Sequence, residues 1–455
     1  MRDPHDLSLS GFLAARSAGT RAACTGYHDA SRDDGRPAMP DPKHHDDEPN
    51  PVAGQTAFTF TRRRRTQTGV PFTPRRIVLA HDAIERRGGS EAVLERIAGY
   101  VRRHHKAVAL LTLFDGGESI GEQTDQVRRI AAGRSRLPMA GPARKWMLPL
   151  FPGMVNDLSG WAESLHEEEP IHLLISTSSG LIKNVRSPEN VPHLCYCHRP
   201  ARWLWDQGEE YGRGRGGRAR GLGLALFGER LRQFDLSGTR GVNVFIANSN
   251  HTRALIERVY SRDATVIPPP VRTDFFTPDA NVPREDFWLV VSTLEPYKRV
   301  ELAIEAAAKA RQRLIIAGEG TMHGWLRAHA RSMVKQYAGG VKGLVEFVGR
   351  VGDEQLQSLY RRARALIFPQ IEDFGITAVE AQACGCPVVA RNLGGALDTV
   401  IPGQTGVLFD KPEPEAIIEA SKSLPNHPKQ CRVNAEKFSE KLFDQRMGMQ
   451  IEQLM

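Results

Sequence analysis

The stretch "RRIVLAHDAIERRGGSEAVLERIAGYVRR", Arg75 to Arg103, contains a strand, a turn and a helix in one reading. "IVLA" (Ile77 to Ala80) is a short uninterrupted apolar run, the pattern of a strand buried on both faces. Gly88-Gly89-Ser90 then opens a helix on which Val93, Leu94, Ile97, Ala98 and Val101 form one apolar stripe. Such a unit belongs to a parallel sheet covered by helices on both faces.

The same alternation extends outward. Strands are expected at Ala107–Phe114, Ile171–Thr177, Pro192–Cys197 and Val242–Ser249. "VIPPPVRTDFFTP" (Val266 to Pro278) interrupts them, and its three consecutive prolines favour a stiff, extended connector. The alternation restarts at "FWLVVST" (Phe287 to Thr293), followed by a helix with an apolar face of Val300, Ala303, Ile304, Ala307 and Ala308. The runs "RLIIAGEG", "LVEFVGRV", "ARALIFPQ", "CPVVARN" and "GVLFD" continue it. The expected fold is α/β, with two Rossmann-like domains facing across a cleft at their strand C-terminal ends, where open α/β sheets bind ligands. Residues 1–74, rich in Asp, Arg, Pro, Gly and Ser, read as a disordered extension, with "HHDDE" (His44 to Glu48) and Arg62–Arg65 as solvated tracts.

Composition narrows the class. In 455 residues, 40% apolar and 25% charged, no apolar run approaches the roughly 18–20 residues needed to span a bilayer. A cytoplasmic location is therefore expected. The net charge of +8 suits an anionic ligand or an acidic surface without choosing between them. Cys195/Cys197 and Cys384/Cys386 lack partner pairs at zinc spacing, so no metal site is expected, and the first pair reads as one buried strand face.

The motifs follow strands. "STLEPYKR" places Lys298 and Arg299 past one strand, "AGEG" turns at Gly318 past the next, and "IEDFG" carries Glu372 past a third. Glycine turns leading into helices expose backbone N–H groups and the positive end of the helix dipole, which suits a diphosphate. At Thr377-x-x-Glu380 two readings are open. Glu380 could close a capping box, or it could sit in the second helical turn and accept the two vicinal hydroxyls of a ribose. The capping reading leaves Glu372 unexplained.

Taken together, "EDFGITAVEAQACGCPVVARNLGGALDTVIPGQTGVLF", "GGSE", "CYCHRPARWLWD", "FIANSNHTRALIERVY", "VIPPPV" and "PYKRVELAIEAAAKA" resemble the large retaining glycosyltransferase family with GT-B architecture, family four or group one. The resemblance runs from about Ile77 to the C-terminus. It implies an N-terminal acceptor-side domain at 75–270, completed by a C-terminal helix at 435–455, and a nucleotide-sugar domain at 271–434. It also implies roles. Glu380 would hold the ribose, Glu372 the donor sugar hydroxyls, and Lys298 the diphosphate with Arg299 beside it. The amides of Phe374, Gly375 and Ile376, with the loops at Gly89 and Gly318, would cradle phosphate and sugar, and His198 would reach the sugar from the first domain. One departure is that Thr293 stands where relatives often carry an arginine.

The implied activity is a hexosyltransferase reaction with retention of configuration, from a nucleotide sugar to a saccharide acceptor. The chain contains no Asp-x-Asp, so Lys298 and backbone dipoles are expected to replace a metal. "CYCHRPARWLWD" and "VIPPPV" look most like bacterial polysaccharide mannosyltransferases, which implies GDP-mannose and a lipid-linked acceptor. "ARKWMLPLFPGMV" (Ala143 to Val155) and "GRGRGGRARGLGLALFGERLRQ" (Gly212 to Gln233) read either as peripheral contacts with anionic membrane or as basic loops leading into core helices. Two rival classes are weaker. An RNA-binding protein using "RGRGGRAR" leaves both α/β domains unexplained, so no nucleic-acid partner is expected. Epimerases lack the Glu-x7-Glu context, and phosphorylases are usually far longer.

Overall fold

The apolar runs become two all-parallel sheets in the computed structural model, which describes residues 74–85, 88–133, 147–206 and 217–455. The first contains β1 (Arg76–Ile84), β2 (Lys106–Asp115), β3 (Arg129–Ala131), β4 (Leu173–Ser178), β5 (His193–Cys197), β6 (Val244–Ala247) and β7 (Thr265–Val266), in the order β3-β2-β1-β4-β5-β6-β7. The second contains β8 (Phe287–Val291), β9 (Arg313–Ala317), β10 (Val345–Gly349), β11 (Ala365–Phe368), β12 (Val388–Arg391) and β13 (Gly406–Phe409), in the order β10-β9-β8-β11-β12-β13. In each sheet the chain reverses its direction of travel beside the first strand, between β1 and β4 and between β8 and β11. Loops leaving those strand ends diverge and open a crevice. The short strands β3 and β7 were not expected from the sequence; runs of three and two residues carry no periodicity to read.

Each sheet is covered on both faces. On the first, Val93, Leu94, Ile97, Ala98 and Val101 of the helix Gly89–His104 are all buried, as their spacing required. Cys195 and Cys197 share one apolar cluster behind β5, where burial makes them small hydrophobes. On the second, the helix Val300–Ala310 buries Val300, Ala303, Ile304, Ala307 and Ala308. Met147, Phe151, Met154 and Val155 enter the core of the first sheet, so these four apolar residues of Ala143–Val155 are interior and not a membrane surface, whereas Ala143–Trp146 lie outside the described residues. Leu231 is also buried, whereas Leu226 is exposed. Arg62–Arg65, the His44–Asp47 tract, Arg213 and Arg215 lie outside the described residues, as do the side chains of Arg218 and Arg220. Among the described residues no helix is long and apolar enough to cross a membrane.

The two halves are joined twice. The proline connector carries Val271, whose N–H donates to the Phe438 carbonyl at 2.9 Å. The expected helix at 435–455 is two helices, Pro428–Glu436 and Glu440–Leu454, because Ser439 is extended and caps the second through the Leu442 N–H. Ala435 and Phe438 still belong to the core of the second sheet. Phe443, Met447 and Ile451 pack on the first, so the chain crosses between Phe438 and Phe443.

Candidate active site

The loop after β11 is shaped by three glycines. Gly375 has φ +95°, a left-handed conformation that side chains resist, and a Cβ there would meet Phe368 Cζ at 3.0 Å. Gly394 and Gly395 support the loop from behind, and the Gly395 N–H donates to the Glu372 carbonyl at 2.8 Å. A Cβ on Gly395 would lie 2.3 Å from Phe374 Cα, so only glycine allows this approach. The helix Ile376–Ala383 begins at this point, and its first N–H groups have no partner further back in the helix.

The N-cap is Gly375, and no side chain caps this helix. Thr377 is the second helical residue, so the capping box is excluded. Glu380 instead accepts a hydrogen bond from the Tyr360 hydroxyl at 3.1 Å. Burial raises its pKa from 4.5 to about 7, against the pull of the Tyr360 hydrogen bond and the Arg272 charge. Lys298 and Glu372 form an ion pair with each other, joining two of the sequence-chosen residues across 74 positions. Burial opposes the Lys298 charge, yet Glu372 holds its pKa above the ordinary lysine value.

Two other residues are placed differently from expectation. Arg299 adopts φ +53° and donates to Glu301 at 2.6 Å, so its charge is engaged away from Lys298. The Gly318 N–H, expected to be open to phosphate, donates to the Gly349 carbonyl at 2.7 Å. What Gly318 supplies is room, since a Cβ would lie 1.8 Å from the Ser292 carbonyl oxygen.

The first half contributes its own loops. His198 follows β5, and its Nε2 is buried without a hydrogen-bond partner. Burial, with the nearby His81 charge, lowers its pKa to about 4. Its backbone is fixed, because the His198 N–H donates to Ser178 and its carbonyl accepts from Asn248 and Thr252. His81 bonds Thr177 Oγ1 at 2.7 Å and faces Glu91 Oε1 at 3.6 Å. Asp82 accepts the N–H groups of Ser179, Gly180 and Ile182, which fixes the loop after β4. A Cβ at Gly89 would come within 3.2 Å of Ile376 Cδ1, so the first glycine turn faces the start of the second-half helix.

Several ties close the cleft. Arg199 and Arg202 both pair with Asp373, the latter at 3.2 Å, and Asn250 donates twice to Asp398 at 2.7 and 2.9 Å. Beside them opens a cavity of about 660 Å3, with His81, Ser90, Glu91 and Gly180 on one side and Thr293, Gly318, Arg350 and Thr377 on the other. His198, Lys298, Glu372 and Glu380 are not in its lining. The sequence reading missed Asp373, Asp398, Gly394 and Gly395. The glycine pair in "NLGG" was the available signal, whereas the cross-cleft pairs join residues more than a hundred positions apart.

Comparison with known proteins agrees with the two-domain fold. Residues 87–275 match the family described as Glycosyltransferase Family 4, and residues 272–440 match Glycosyl transferases group 1. Glycogen synthase of Mycobacterium tuberculosis is 35% identical over 160 residues, 34% of this chain and 37% of that protein. A D-inositol 3-phosphate glycosyltransferase of Geodermatophilus obscurus is 36% identical over 171 residues, 34% of this chain and 38% of that protein. The matches therefore span well under half the length of these curated relatives. Among solved structures, sucrose-phosphate synthase from Thermosynechococcus elongatus superposes with a TM-score of 0.65 at 21% identity, covering 84% of this chain and 99% of that one. Anabaena HepE in complex with UDP gives 0.61 at 17% identity, covering 83% and 100%. At such identities the likeness concerns the fold. The chain carries, one after the other, the Family 4 and group 1 domains of the GT-B glycosyltransferases.

Proposed function

We propose that this chain is a retaining glycosyltransferase that moves a sugar from a nucleotide sugar to a saccharide acceptor. The observation that carries this reading is the loop Glu372–Ile376, where a carboxylate, its lysine partner and the first amides of a helix meet opposite the His198 half. A departing nucleoside diphosphate gains negative charge as the glycosidic bond breaks. The Gly375 and Ile376 amides supply fixed positive charge at that point, and Lys298 adds its own as the phosphate takes the place of Glu372 beside it. Two ribose hydroxyls donated to Glu380 would favour its ionised form, offsetting the burial that raises its pKa to about 7. His198, neutral at physiological pH, offers an unpartnered ring nitrogen for a sugar hydroxyl. With no carboxylate assigned as nucleophile, attack from the leaving-group face is the retaining route this reading takes, and it uses no metal.

The finer reading is GDP-mannose as donor and a lipid-linked saccharide as acceptor, reached at the membrane through Gly212–Gln233. It rests on the resemblance of "CYCHRPARWLWD" and "VIPPPV". A second donor, nucleotide-linked glucose, is favoured by the glycogen synthase among the relatives. The test is a screen of UDP-, GDP-, ADP- and dTDP-sugars for nucleoside diphosphate release in the presence of lipid extract. Release from one donor class, dependent on Lys298, is expected. No release from any donor would contradict the reading, and release from UDP-glucose alone would replace mannose by glucose.

A further inference from the structure

Lys298 enters the site with its charge already balanced by Glu372. A nucleoside diphosphate brings about two further negative charges. Thr293 is neutral and Arg299 is engaged by Glu301, so the neighbouring residues of the same loop do not answer them. An arginine from the other half lies against the same tyrosine ring as Lys298. Arg202, on the short helix Arg202–Trp205, has its guanidinium 5.5 Å from the centre of the Tyr297 ring, and Lys298 Nζ lies 4.9 Å from the same ring. Arg202 also donates to Asp373, the residue after Glu372. Of two consecutive carboxylates, Glu372 is thus paired with Lys298 of its own half, and Asp373 with both Arg199 and Arg202 of the other half. The side chains of Arg202 and Lys298 are only 19% and 13% exposed. Two partly desolvated like charges against one ring repel each other, and the Arg202 charge indeed works against that of Lys298. A dianion near both relieves this repulsion.

We propose that Arg202 is a catalytic residue, the second cation on the departing diphosphate, supplied by the first half when the cleft is closed. The assignment rests on the nucleotide-sugar reading above. In the step it assists, the bond from sugar C1 to the β-phosphate oxygen breaks and its electron pair stays on that oxygen. The acceptor hydroxyl oxygen forms the new bond to C1, and its proton passes to the leaving phosphate. Arg202 and Lys298 stabilise the charge that appears on the phosphate.

The alternative role is a purely mechanical tie through Asp373, and binding measurements separate the two. UDP, GDP, UMP and GMP are titrated into the wild-type chain and into Arg202→Gln, Arg202→Lys, Asp373→Asn and Arg350→Gln. Each result is the ratio of diphosphate to monophosphate affinity within one variant, which partial misfolding does not alter. Arg202→Gln should reduce that ratio about 10-fold, the scale of one charge-assisted contact. Arg202→Lys should keep much of it, and Asp373→Asn should keep all of it, since the cation remains. The assignment is overturned if Arg202→Gln leaves the ratio unchanged, if Asp373→Asn lowers it equally, or if Arg350→Gln abolishes it instead. A wild-type chain that binds none of the nucleotides removes the donor reading and this assignment with it.

Discussion

Replacing Glu380 by Gln should strengthen the empty protein and weaken its hold on a nucleotide. The Glu380 carboxyl is raised from 4.5 to about 7, chiefly by burial. A raised value in the folded state means that its favourable contribution is complete below about pH 4.5 and is lost as pH rises through 7. At roughly 1.4 kcal/mol per pH unit, the ionised group costs the fold about 3 kcal/mol at most. Glu380 keeps some contact with solvent, and screening reduces this to about 1–2 kcal/mol. Glutamine has the same shape, carries no charge and still accepts from Tyr360. The variant should therefore melt about 2–4 °C higher than wild type at pH 8 and at the same temperature at pH 4. Its affinity for UDP or GDP should fall by about 1–3 kcal/mol, through loss of charge-assisted bonds to the ribose. Calorimetric melting from pH 4 to 8 and isothermal titration measure both. A variant that melts lower at every pH and binds nucleotide as well as wild type would refute the reasoning.

Lys298→Ala should cut turnover by more than about 100-fold while shifting stability little, and wild-type turnover should persist in EDTA. Activity restored to EDTA-treated enzyme only by manganese or magnesium would count against the metal-free account. Gly395→Ala forces a Cβ onto Phe374 Cα, 2.3 Å away, and should cost about 1–3 kcal/mol of stability and roughly 100-fold in turnover by displacing the Glu372 loop. His198 and His193, held near 4 and near 3 by burial, favour the fold only while neutral. In the Glu380→Gln background, which removes the opposing carboxyl effect, stability measured by urea midpoint should be steady above about pH 6.5 and decline as pH falls towards 4. Replacing Arg213, Arg215, Arg218 and Arg220 by Ser should reduce cosedimentation with anionic vesicles at low salt, at about 1 kcal/mol per arginine, and high salt should mimic it. Equal binding by both proteins would leave these arginines as a solvated segment.

The sheets were legible because buried parallel strands are continuous apolar runs and their helices carry a clear stripe, as at Ile77–Ala80 and Val93–Val101. What local spacing cannot carry is backbone conformation and distant pairing. Thr377 and Glu380 have capping-box spacing, but Gly375, with its φ of +95°, is the N-cap, two residues ahead of Thr377. Lys298 and Arg299 are neighbours in sequence, and the left-handed turn at Arg299 separates their partners. Gly318 was chosen for its N–H, whereas the close approach of Ser292 is what requires glycine there. The latch from Arg199 and Arg202 to Asp373 spans more than 170 residues, so no motif window contains it.

The most direct test of the account is a crystal structure of the chain with whichever nucleoside diphosphate the donor screen releases. The account predicts phosphate oxygens within hydrogen-bond reach of Lys298 Nζ and the Gly375 and Ile376 amides, and the ribose hydroxyls on the Glu380 carboxylate. A nucleotide bound elsewhere, with the Lys298–Glu372 and Tyr360–Glu380 contacts undisturbed and no ribose at Glu380, would contradict it.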